Sequence, residues 1–244
     1  MLVSRNGELF ALKELSKRES ANEELFAKEI QLLRMLRDEG NVVDYDSSFQ
    51  SQRHWYLATQ FCSGGTFLDH VLSMEQFTEK TAIPFIRTIL TTVRALHQRD
   101  IVHRDLKLMN MVLDGEGDDA VLKLIDFGDS LVVEDDGDYN ELVGTLYFLS
   151  PECRRWRKGW ELKKSDLWSV GVICYILLVG VMPICGDDSL DDGHSLDDCP
   201  FPGTTIKLIE DGHFEFPEDD DAPQLSDSAK SFIRGLLTKD TAKR

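Results

Sequence analysis

Two short stretches of the chain carry side chains that could act on a phosphate group. The first, residues 103–110, reads His-Arg-Asp-Leu-Lys-Leu-Met-Asn and sets a carboxylate (Asp105), an ammonium (Lys107) and an amide oxygen (Asn110) within six positions. The second reads Asp-Phe-Gly and adds the carboxylate of Asp126. Transfer of a phosphoryl group passes through a loose, highly charged transition state, so a site for it mainly positions the reactants and neutralises charge. These side chains are of the types that such chemistry needs.

The order of the two stretches resembles the catalytic loop and the magnesium-binding turn of eukaryotic protein kinases. The resemblance implies that Asp105 is the catalytic base, which accepts the proton of a substrate hydroxyl. It also implies that Asn110 and Asp126 hold Mg²⁺, a hard cation that prefers oxygen ligands, and that Lys107 contacts the transferring phosphate. A lysine two residues after the aspartate is typical of the Ser/Thr branch of the family. ATP, Mg²⁺ and a protein substrate are therefore the implied ligands.

A lysine and a glutamate nearer the start of the chain add to the resemblance. Ala11-Leu12-Lys13 is similar to the family's third-strand lysine motif, and Glu29 follows sixteen residues later on the apolar stripe of a predicted helix. The resemblance implies that Lys13 binds the α- and β-phosphates of ATP and that Glu29 pairs with it. Without that context, the two residues would be read as an ordinary strand lysine and a solvent-facing glutamate.

The stretch 56–65 is similar to the segment that holds the adenine base in these kinases. It reads Tyr-Leu-Ala-Thr-Gln-Phe-Cys-Ser-Gly-Gly. The implied adenine contacts are Thr59 at the back of the pocket, the main chain of Gln60 and Cys62, and the apolar walls Ala11 and Val112. Plain packing explains Ala11 and Val112 equally well.

Later positions resemble the end of the family's activation segment and the start of its central helix. Gly144-Thr145 and Ser150-Pro151-Glu152 have the pattern of the segment's end. The resemblance implies that Glu152 pairs with Arg244. It also implies that Asp166 holds the backbone of the catalytic loop, a kind of buried polar anchor that makes a site rigid when every partner is satisfied.

The composition of the activation segment suggests how it is ordered. Between the two glycines that bound residues 129–143, the only hydroxyl side chains are Ser130 and Tyr139. Glu141 stands where many relatives carry a phosphorylated threonine, whose charge pairs with the arginine of the catalytic loop, here Arg104. The hypothesis is that Glu141 supplies that charge permanently. A carboxylate has about half the charge of a phosphate, and an acidic solvated loop is the alternative interpretation.

Composition restricts the partners. The chain of 244 residues has a formal net charge of −17, which argues against nucleic acid or an anionic membrane as a main partner and is compatible with a basic protein substrate. Its five cysteines lie far apart with no C-x-x-C pair, which favours reduced thiols inside a cell. No secretory signal is visible at the N-terminus, and the apolar run 170–184 is too short to span a bilayer. We expect an intracellular protein, with the cytoplasm favoured; the sequence indicates no oligomeric state.

Strand patterns come first along the chain and helix patterns follow. Asn6-Gly7 predicts a hairpin turn, strands are expected near 42–49 and 54–61, and helices are expected at 79–99, where Pro84 should kink or delay the helix, at 166–182 and at 226–237. This order predicts an α+β, bilobal protein kinase-like fold. A small antiparallel β lobe with one helix would cover residues 1–61, and a larger, mainly helical lobe would cover 62–244.

Clusters of acidic residues interrupt the second half of the chain and are interpreted as solvated surface loops. They lie at 116–119, 134–138, 187–198 and 218–221. A calcium-binding EF-hand loop is excluded by spacing, because aligning Gly193 with the invariant glycine of such a loop puts Leu190 at a ligand position and Cys199 where a glutamate belongs.

One departure from the family concerns the backbone rather than the side chains. The Gly-rich loop G-x-G-x-x-G is missing, because Met1 falls within the expected second strand. We expect an incomplete kinase domain, with a general leaning toward the calcium/calmodulin-dependent kinase group. The main rival interpretation is a pseudokinase that acts as a scaffold, and a kinase for small-molecule hydroxyls is a third, disfavoured by the full activation segment.

Overall fold

In the computed structural model, the described residues are 1–18, 21–74, 77–152, 155, 157–184, 202–218 and 223–244. They form two units. One unit consists of Met1–Ser73, Leu90–His103 and Leu108–Val132, and the other consists of Met74–Ile89, Arg104–Lys107 and Val133–Arg244. The lobe boundary expected at residues 61–62 stays a prediction.

The longer strands and one helix come first, as the sequence pattern predicts, but further short strands lie between the later helices of the described chain. The strands are β1 Leu2–Arg5, β2 Glu8–Ser16, β3 Tyr45–Gln50, β4 His54–Gln60, β5 Ile101–Val102, β6 Met111–Asp114, β7 Val121–Leu124, β8 Leu131–Val132, β9 Asp138–Tyr139 and β10 Arg157–Lys158. The helices are α1 Ala21–Met35, α2 Phe67–Ser73, α3 Glu79–His97, α4 Gly159–Val179, α5 Pro202–Asp211 and α6 Asp227–Leu236. The predicted α+β class is confirmed.

The first part of the chain folds into a four-stranded antiparallel sheet, with the strands in the order β1-β2-β4-β3. Its first two strands are joined at Asn6 and Gly7, which have φ angles of 55° and 87°. Two central residues with positive φ give the turn type whose twist matches a hairpin, so the predicted hairpin is confirmed. Helix α1 packs on the sheet, where Phe26 stacks on Trp55 with ring centroids 5.4 Å apart.

The long helices differ from their predicted bounds in instructive ways. Helix α3 begins at Glu79 and continues through Pro84, so the proline does not delay it. Helix α4 begins at Gly159, seven residues before the predicted start at Asp166, because the Glu161 carboxylate accepts the main-chain N–H of Lys158 at 2.9 Å and so caps the first turn. It ends at Val179 instead of Met182, because Gly180 adopts the left-handed conformation that terminates helices.

Two observations bear on the environment of the chain. In the part of the chain that the structure describes, no helix is long and apolar enough to cross a membrane. Two of the five cysteines, Cys62 and Cys174, are free and buried. Burial raises the pKa of the Cys62 thiol to about 11 and that of Cys174 to about 12. The predictions for Cys153, Cys185, Cys199, the acidic stretch 187–198 and residues 219–221 of the last acidic stretch lie outside the described residues.

The segment that follows β4 is tied to β6 by main-chain hydrogen bonds. The N–H of Gly64 donates to the oxygen of Leu113 at 2.8 Å, and the N–H of Leu113 donates to the oxygen of Gly65 at 3.0 Å. A Cβ on Gly64 would lie 2.3 Å from the main-chain oxygen of Gly115. Only glycine therefore fits at position 64, and the segment holds the end of β4 in place.

Replacing Gly64 by alanine should destabilise the protein, because the added methyl group meets backbone that cannot move aside. We expect a lower urea midpoint and a loss of about 1–3 kcal/mol in the free energy of unfolding. Gly40→Ala is the matched control, since a Cβ there would have no neighbour within 4 Å. Equal midpoints for the two variants would contradict the close contact.

Candidate active site

One ammonium group stands between two carboxylates in the unit that contains the sheet. Nζ of Lys13, on β2, lies 2.9 Å from both carboxylate oxygens of Glu29, on α1. It also lies 2.6 Å from Oδ1 of Asp126, just after β7. Glu29 is only 2 % exposed, so the interpretation as a solvent-facing glutamate is wrong. The structure brings together three of the residues predicted from the sequence.

Burial and charge act in opposite directions on these groups. Burial alone would lower the pKa of Lys13, but the carboxylates of Glu29 and Asp126 outweigh it and raise that pKa. Burial favours the neutral form of Asp126, yet Lys13 holds its pKa below the ordinary value. The burial of Glu29 outweighs the attraction of Lys13, so the pKa of Glu29 is raised. The ammonium therefore offsets part of the cost of burying the Glu29 carboxylate.

The turn at Asp126 has a strained backbone that its neighbours hold in place. Asp126 has a φ of 62°, unusual for a residue other than glycine. Its Oδ1 accepts the main-chain N–H of Gly128 at 3.3 Å. A Cβ on Gly128 would lie 3.1 Å from Nζ of Lys13, so glycine leaves the room that the ammonium needs. The next residue, Phe127, is fully buried and packs edge-on against the ring of His103 at 5.1 Å.

Asn110, the other predicted metal ligand, belongs to the same unit. It ends a short 3₁₀ turn, Leu108–Asn110, and is 7 % exposed. Its main-chain oxygen accepts the N–H of Ile125 at 2.9 Å, which joins it to the residue before Asp126. Among the described residues, no group of three His, Cys, Asp or Glu side chains could hold a metal ion. The predicted site instead relies on one amide and one carboxylate, and Mg²⁺ commonly has few protein ligands.

A mostly apolar cavity of about 480 Å³ opens beside Lys13. All five predicted adenine contacts line it: Ala11, Thr59, Gln60, Cys62 and Val112. Its size and lining are those of small-molecule sites, which combine apolar walls with a few polar groups. Lys13 and Asp126 supply an ammonium and a carboxylate at its edge. The donor set fits a nucleotide whose base lies against the apolar walls and whose phosphates need a cation.

The other unit contains the predicted catalytic base. Asp105 is 9 % exposed, and its Oδ1 accepts both the main-chain N–H of Thr145 at 2.9 Å and the Thr145 hydroxyl at 2.7 Å. Its Oδ2 lies 3.1 Å from Nζ of Lys107, and that ammonium also donates to the Thr145 hydroxyl at 2.7 Å. The carboxylate is thus fixed by groups on both of its oxygens.

Arg104, the residue before Asp105 in the catalytic loop, is also held in place. This residue has a φ of 70°, and its main-chain N–H donates to Oδ1 of Asp166 at 2.9 Å. Its side chain reaches the carboxylate of Glu141 at 3.2 Å. The predicted pair of Glu152 and Arg244 forms two hydrogen bonds, of 2.7 and 3.0 Å, and both side chains are almost fully buried.

Sequence reasoning missed the part that Thr145 plays at this site. The resemblance marked Gly144-Thr145 only as the end of a segment, whereas the structure shows the hydroxyl of Thr145 between Asp105 and Lys107. Gly144, with a φ of 109°, allows this approach, since a Cβ there would lie 2.5 Å from the main-chain oxygen of Arg104. The signal was the glycine that precedes a hydroxyl residue, which is weak without the fold.

The comparisons with known proteins agree with this geometry. Residues 1–244 match the family model described as protein kinase domain.

The chain belongs to the protein kinase domain family.

Several curated plant kinases are similar to this kinase domain. It is 32 % identical over 241 residues to calcium-dependent protein kinase 9 of Arabidopsis thaliana, 34 % over 241 residues to calcium-dependent protein kinase 12 of Oryza sativa subsp. japonica, and 31 % over 242 residues to calcium-dependent protein kinase 2 of Zea mays. Each alignment covers 98 % of the chain and 41 %, 42 % and 44 % of these relatives, so the chain spans about two fifths of their length. Their names agree with the predicted resemblance to the calcium/calmodulin-dependent kinase group.

Replacing Lys13 by methionine should destabilise the kinase domain in a pH-dependent way. Glu29 has a folded-state pKa above its unfolded value, so its charge opposes folding at neutral pH, and this opposition disappears as the pH falls through the folded pKa. Without the ammonium that pKa rises further. We expect a loss of about 1–3 kcal/mol near pH 7, less than for a fully buried pair because the Lys13 side chain is 37 % exposed.

The loss should shrink as the pH is lowered from about 7 to below the ordinary glutamate pKa of 4.5, where Glu29 becomes protonated in both states. Urea midpoints of the variant and the parent at several pH values measure it. Lys207→Met, at an exposed position of α5, is the control and should leave the midpoints unchanged. A gap that is constant with pH would contradict the role assigned to Lys13.

Proposed function

We propose that this kinase domain transfers the γ-phosphoryl group of ATP to serine and threonine hydroxyls of protein substrates. The observation that carries the proposal is the buried carboxylate of Asp105, held at one oxygen by Thr145 and at the other by Lys107. A carboxylate fixed in this way can accept the proton of a hydroxyl without first having to reorient. The membership in the kinase family supports the same role.

The residues around the apolar cavity would hold the nucleotide and its metal ion. The walls at Ala11 and Val112, with the main chain near Gln60, would hold the base, and Lys13 would bind the phosphates. Asn110 and Asp126 would be the Mg²⁺ ligands. When bound, the metal ion neutralises negative charge on the phosphates. Glu29 acts through Lys13, because their ion pair of 2.9 Å keeps the ammonium in one position.

Lys107 has a role that its contacts support. Its ammonium lies 3.1 Å from Asp105 and 2.7 Å from the hydroxyl of Thr145. The ammonium therefore helps to hold the carboxylate of Asp105 in one orientation. The same cation would stabilise negative charge on a transferring phosphate, as the resemblance implies.

The substrate class and the location in the cell are finer parts of the proposal. The formal net charge of −17 supports a basic protein substrate, since an acidic surface attracts cations over distances of about a Debye length. The buried free thiols of Cys62 and Cys174 support a reducing, intracellular location with the cytoplasm favoured.

Glu141 would order the activation segment without phosphorylation. Its carboxylate lies 3.2 Å from the guanidinium of Arg104, which is 8 % exposed, whereas the glutamate side chain is 70 % exposed. An ion pair that is open to water on one side contributes little, in the range of about 0.2–1 kcal/mol. The pair therefore biases the segment toward one conformation rather than fixing it alone.

The proton-accepting role of Asp105 is tested by Asp105→Asn, which keeps the shape of the side chain. We expect phosphate transfer from labelled ATP to a generic basic protein to fall by about 10²–10⁴-fold, the usual contribution of a general base. Asp38→Asn, at a side chain that is 85 % exposed, is the matched control. Equal transfer by parent and variant would overturn the assignment. No transfer by the parent, with ATP binding retained, would favour the scaffold interpretation.

The charge of Glu141 is tested by Glu141→Gln in a phosphatase-treated chain. We expect kcat to fall by about twofold to fivefold, in line with the loss of an exposed ion pair. High salt should reduce the difference between variant and parent, because it screens exposed charges. An unchanged kcat at low salt would remove the hypothesis of ordering by Glu141.

A further inference from the structure

The acidic stretch 134–138 is largely exposed, as the sequence pattern predicts, but its backbone has a defined fold. The hydroxyl of Tyr139 accepts the main-chain N–H of Glu134 at 2.9 Å, and the N–H of Gly137 donates to the oxygen of Glu134 at 3.0 Å. A Cβ on Gly137 would lie 2.8 Å from that hydroxyl. A Cβ on Gly159 would lie only 1.9 Å from the oxygen of Glu134. The stretch 134–139 therefore packs directly on the start of α4.

A short strand pair and two lysines attach this stretch to the residues that lead into α4. Strand β9 pairs antiparallel with β10. Lys158 lies 2.8 Å from the carboxylate of Asp138, and Lys163 lies 3.1 Å from that of Asp135. The side chains of Lys158, Asp138 and Asp135 are each more than two fifths exposed, and that of Lys163 is more buried. Exposed ion pairs of this kind contribute little to stability. The attachment of the stretch 134–139 must therefore depend on a buried contact.

Arg157 is the buried element of this attachment. It is 4 % exposed, lies on β10, and its Nη2 donates to the main-chain oxygen of Glu141 at 2.6 Å. A hydrogen bond from an ionised donor is about twice as strong as one between neutral groups. A protein also loses much stability when a buried guanidinium is left without its partners. The bond therefore holds the backbone of Glu141, whereas Arg104 holds its side chain.

Residues 141–145 are thereby attached to the catalytic loop at both ends. Glu141 contacts Arg104, and four residues later Thr145 donates to Asp105. Arg157 acts at the first of these ends, where the exposed carboxylate of Glu141 alone holds weakly.

We propose that Arg157 is a positioning residue for phosphoryl transfer, which holds residues 141–145 against the catalytic loop through the main-chain oxygen of Glu141 and so orders the activation segment without phosphorylation. The inference rests on the proposed kinase function and assigns a regulatory feature to the same site. Arg157 touches no reacting group. It acts through Glu141 and, four residues further on, through the contact between Thr145 and Asp105.

The test uses three variants of the whole chain: Arg157→Ala, Arg157→Lys and Arg155→Ala. Arg155 is the matched control, because its side chain is 52 % exposed and pairs with Glu161 instead of the activation segment. Amide hydrogen exchange over residues 137–145 reports the attachment whether or not the chain is active. The kcat of protein phosphorylation by phosphatase-treated chains and the KM for ATP report its effect on catalysis.

For Arg157→Ala we expect faster exchange in 137–145 and a kcat lower by about tenfold, the scale of one charge-assisted hydrogen bond. The KM for ATP should stay the same, because the residues that line the nucleotide cavity belong to the other unit. Arg157→Lys should recover part of both losses, since an ammonium can donate to the same oxygen. Arg155→Ala should match the parent within about twofold.

Several results would overturn the proposal. Unchanged exchange in Arg157→Ala would show that the arginine does not hold the segment. Faster exchange with an unchanged kcat would remove its part in catalysis. If Arg157→Ala does not fold, Arg157→Lys is the deciding variant. Exchange and kcat equal to those of the parent in Arg157→Lys would then contradict the role assigned to the guanidinium of Arg157. A parent chain that transfers no phosphate would contradict the proposed function, while its exchange pattern would still test the attachment.

Discussion

The ammonium of Lys13 is the interaction on which the nucleotide-binding half of the molecule depends. It joins residues that are 16 and 113 positions away in the sequence, at distances of 2.9 and 2.6 Å. Removing it would leave Glu29 as a buried carboxylate without its cation, which is costly in a protein interior. One charge therefore links strand β2, helix α1 and the turn after β7, and it lies beside the apolar cavity that we propose for ATP.

In the catalytic half, a charged group is likewise held by contacts from several residues, and this group is the carboxylate of Asp105. Asp105 is almost buried, and hydrogen bonds from Thr145 and the ammonium of Lys107 fix its orientation. The backbone is strained at both key carboxylates: Arg104, the residue before Asp105, has a φ of 70°, and Asp126 itself has a φ of 62°. Such strain persists only where the surroundings determine it fully. Polar anchors such as Asp166, whose carboxylate accepts the N–H of Arg104, provide that determination.

Much of the site could be predicted from the sequence, because its residues occur in short motifs whose order is specific. Lys13 meets Glu29 as expected, whereas its contact with Asp126 was not predicted. The strands and the helix of the first part of the chain follow from turn residues and periodicity. Pairing across the fold could not be predicted in the same way. The position of Thr145 depends on a close backbone approach at Gly144, which no local pattern encodes.

Two further features also escape local sequence patterns. Arg157 lies in the basic stretch 154–158 of the sequence, yet it is on strand β10 and is only 4 % exposed. Helix α4 begins seven residues early because Glu161 caps it, while the apolar pattern becomes continuous only later. The first of these depends on the tertiary structure, whereas the start of α4 depends on a local polar contact that apolar periodicity does not register.

The central claim is that this kinase domain moves the terminal phosphoryl group of ATP to hydroxyl groups of proteins. The most direct measurement incubates the chain with ATP labelled at the γ-phosphate and a library of peptides, and identifies the modified residues by mass spectrometry. We expect labelled phosphate on serine and threonine. Peptides that stay unphosphorylated while the chain binds ATP, or label found only on tyrosine, would contradict this expectation.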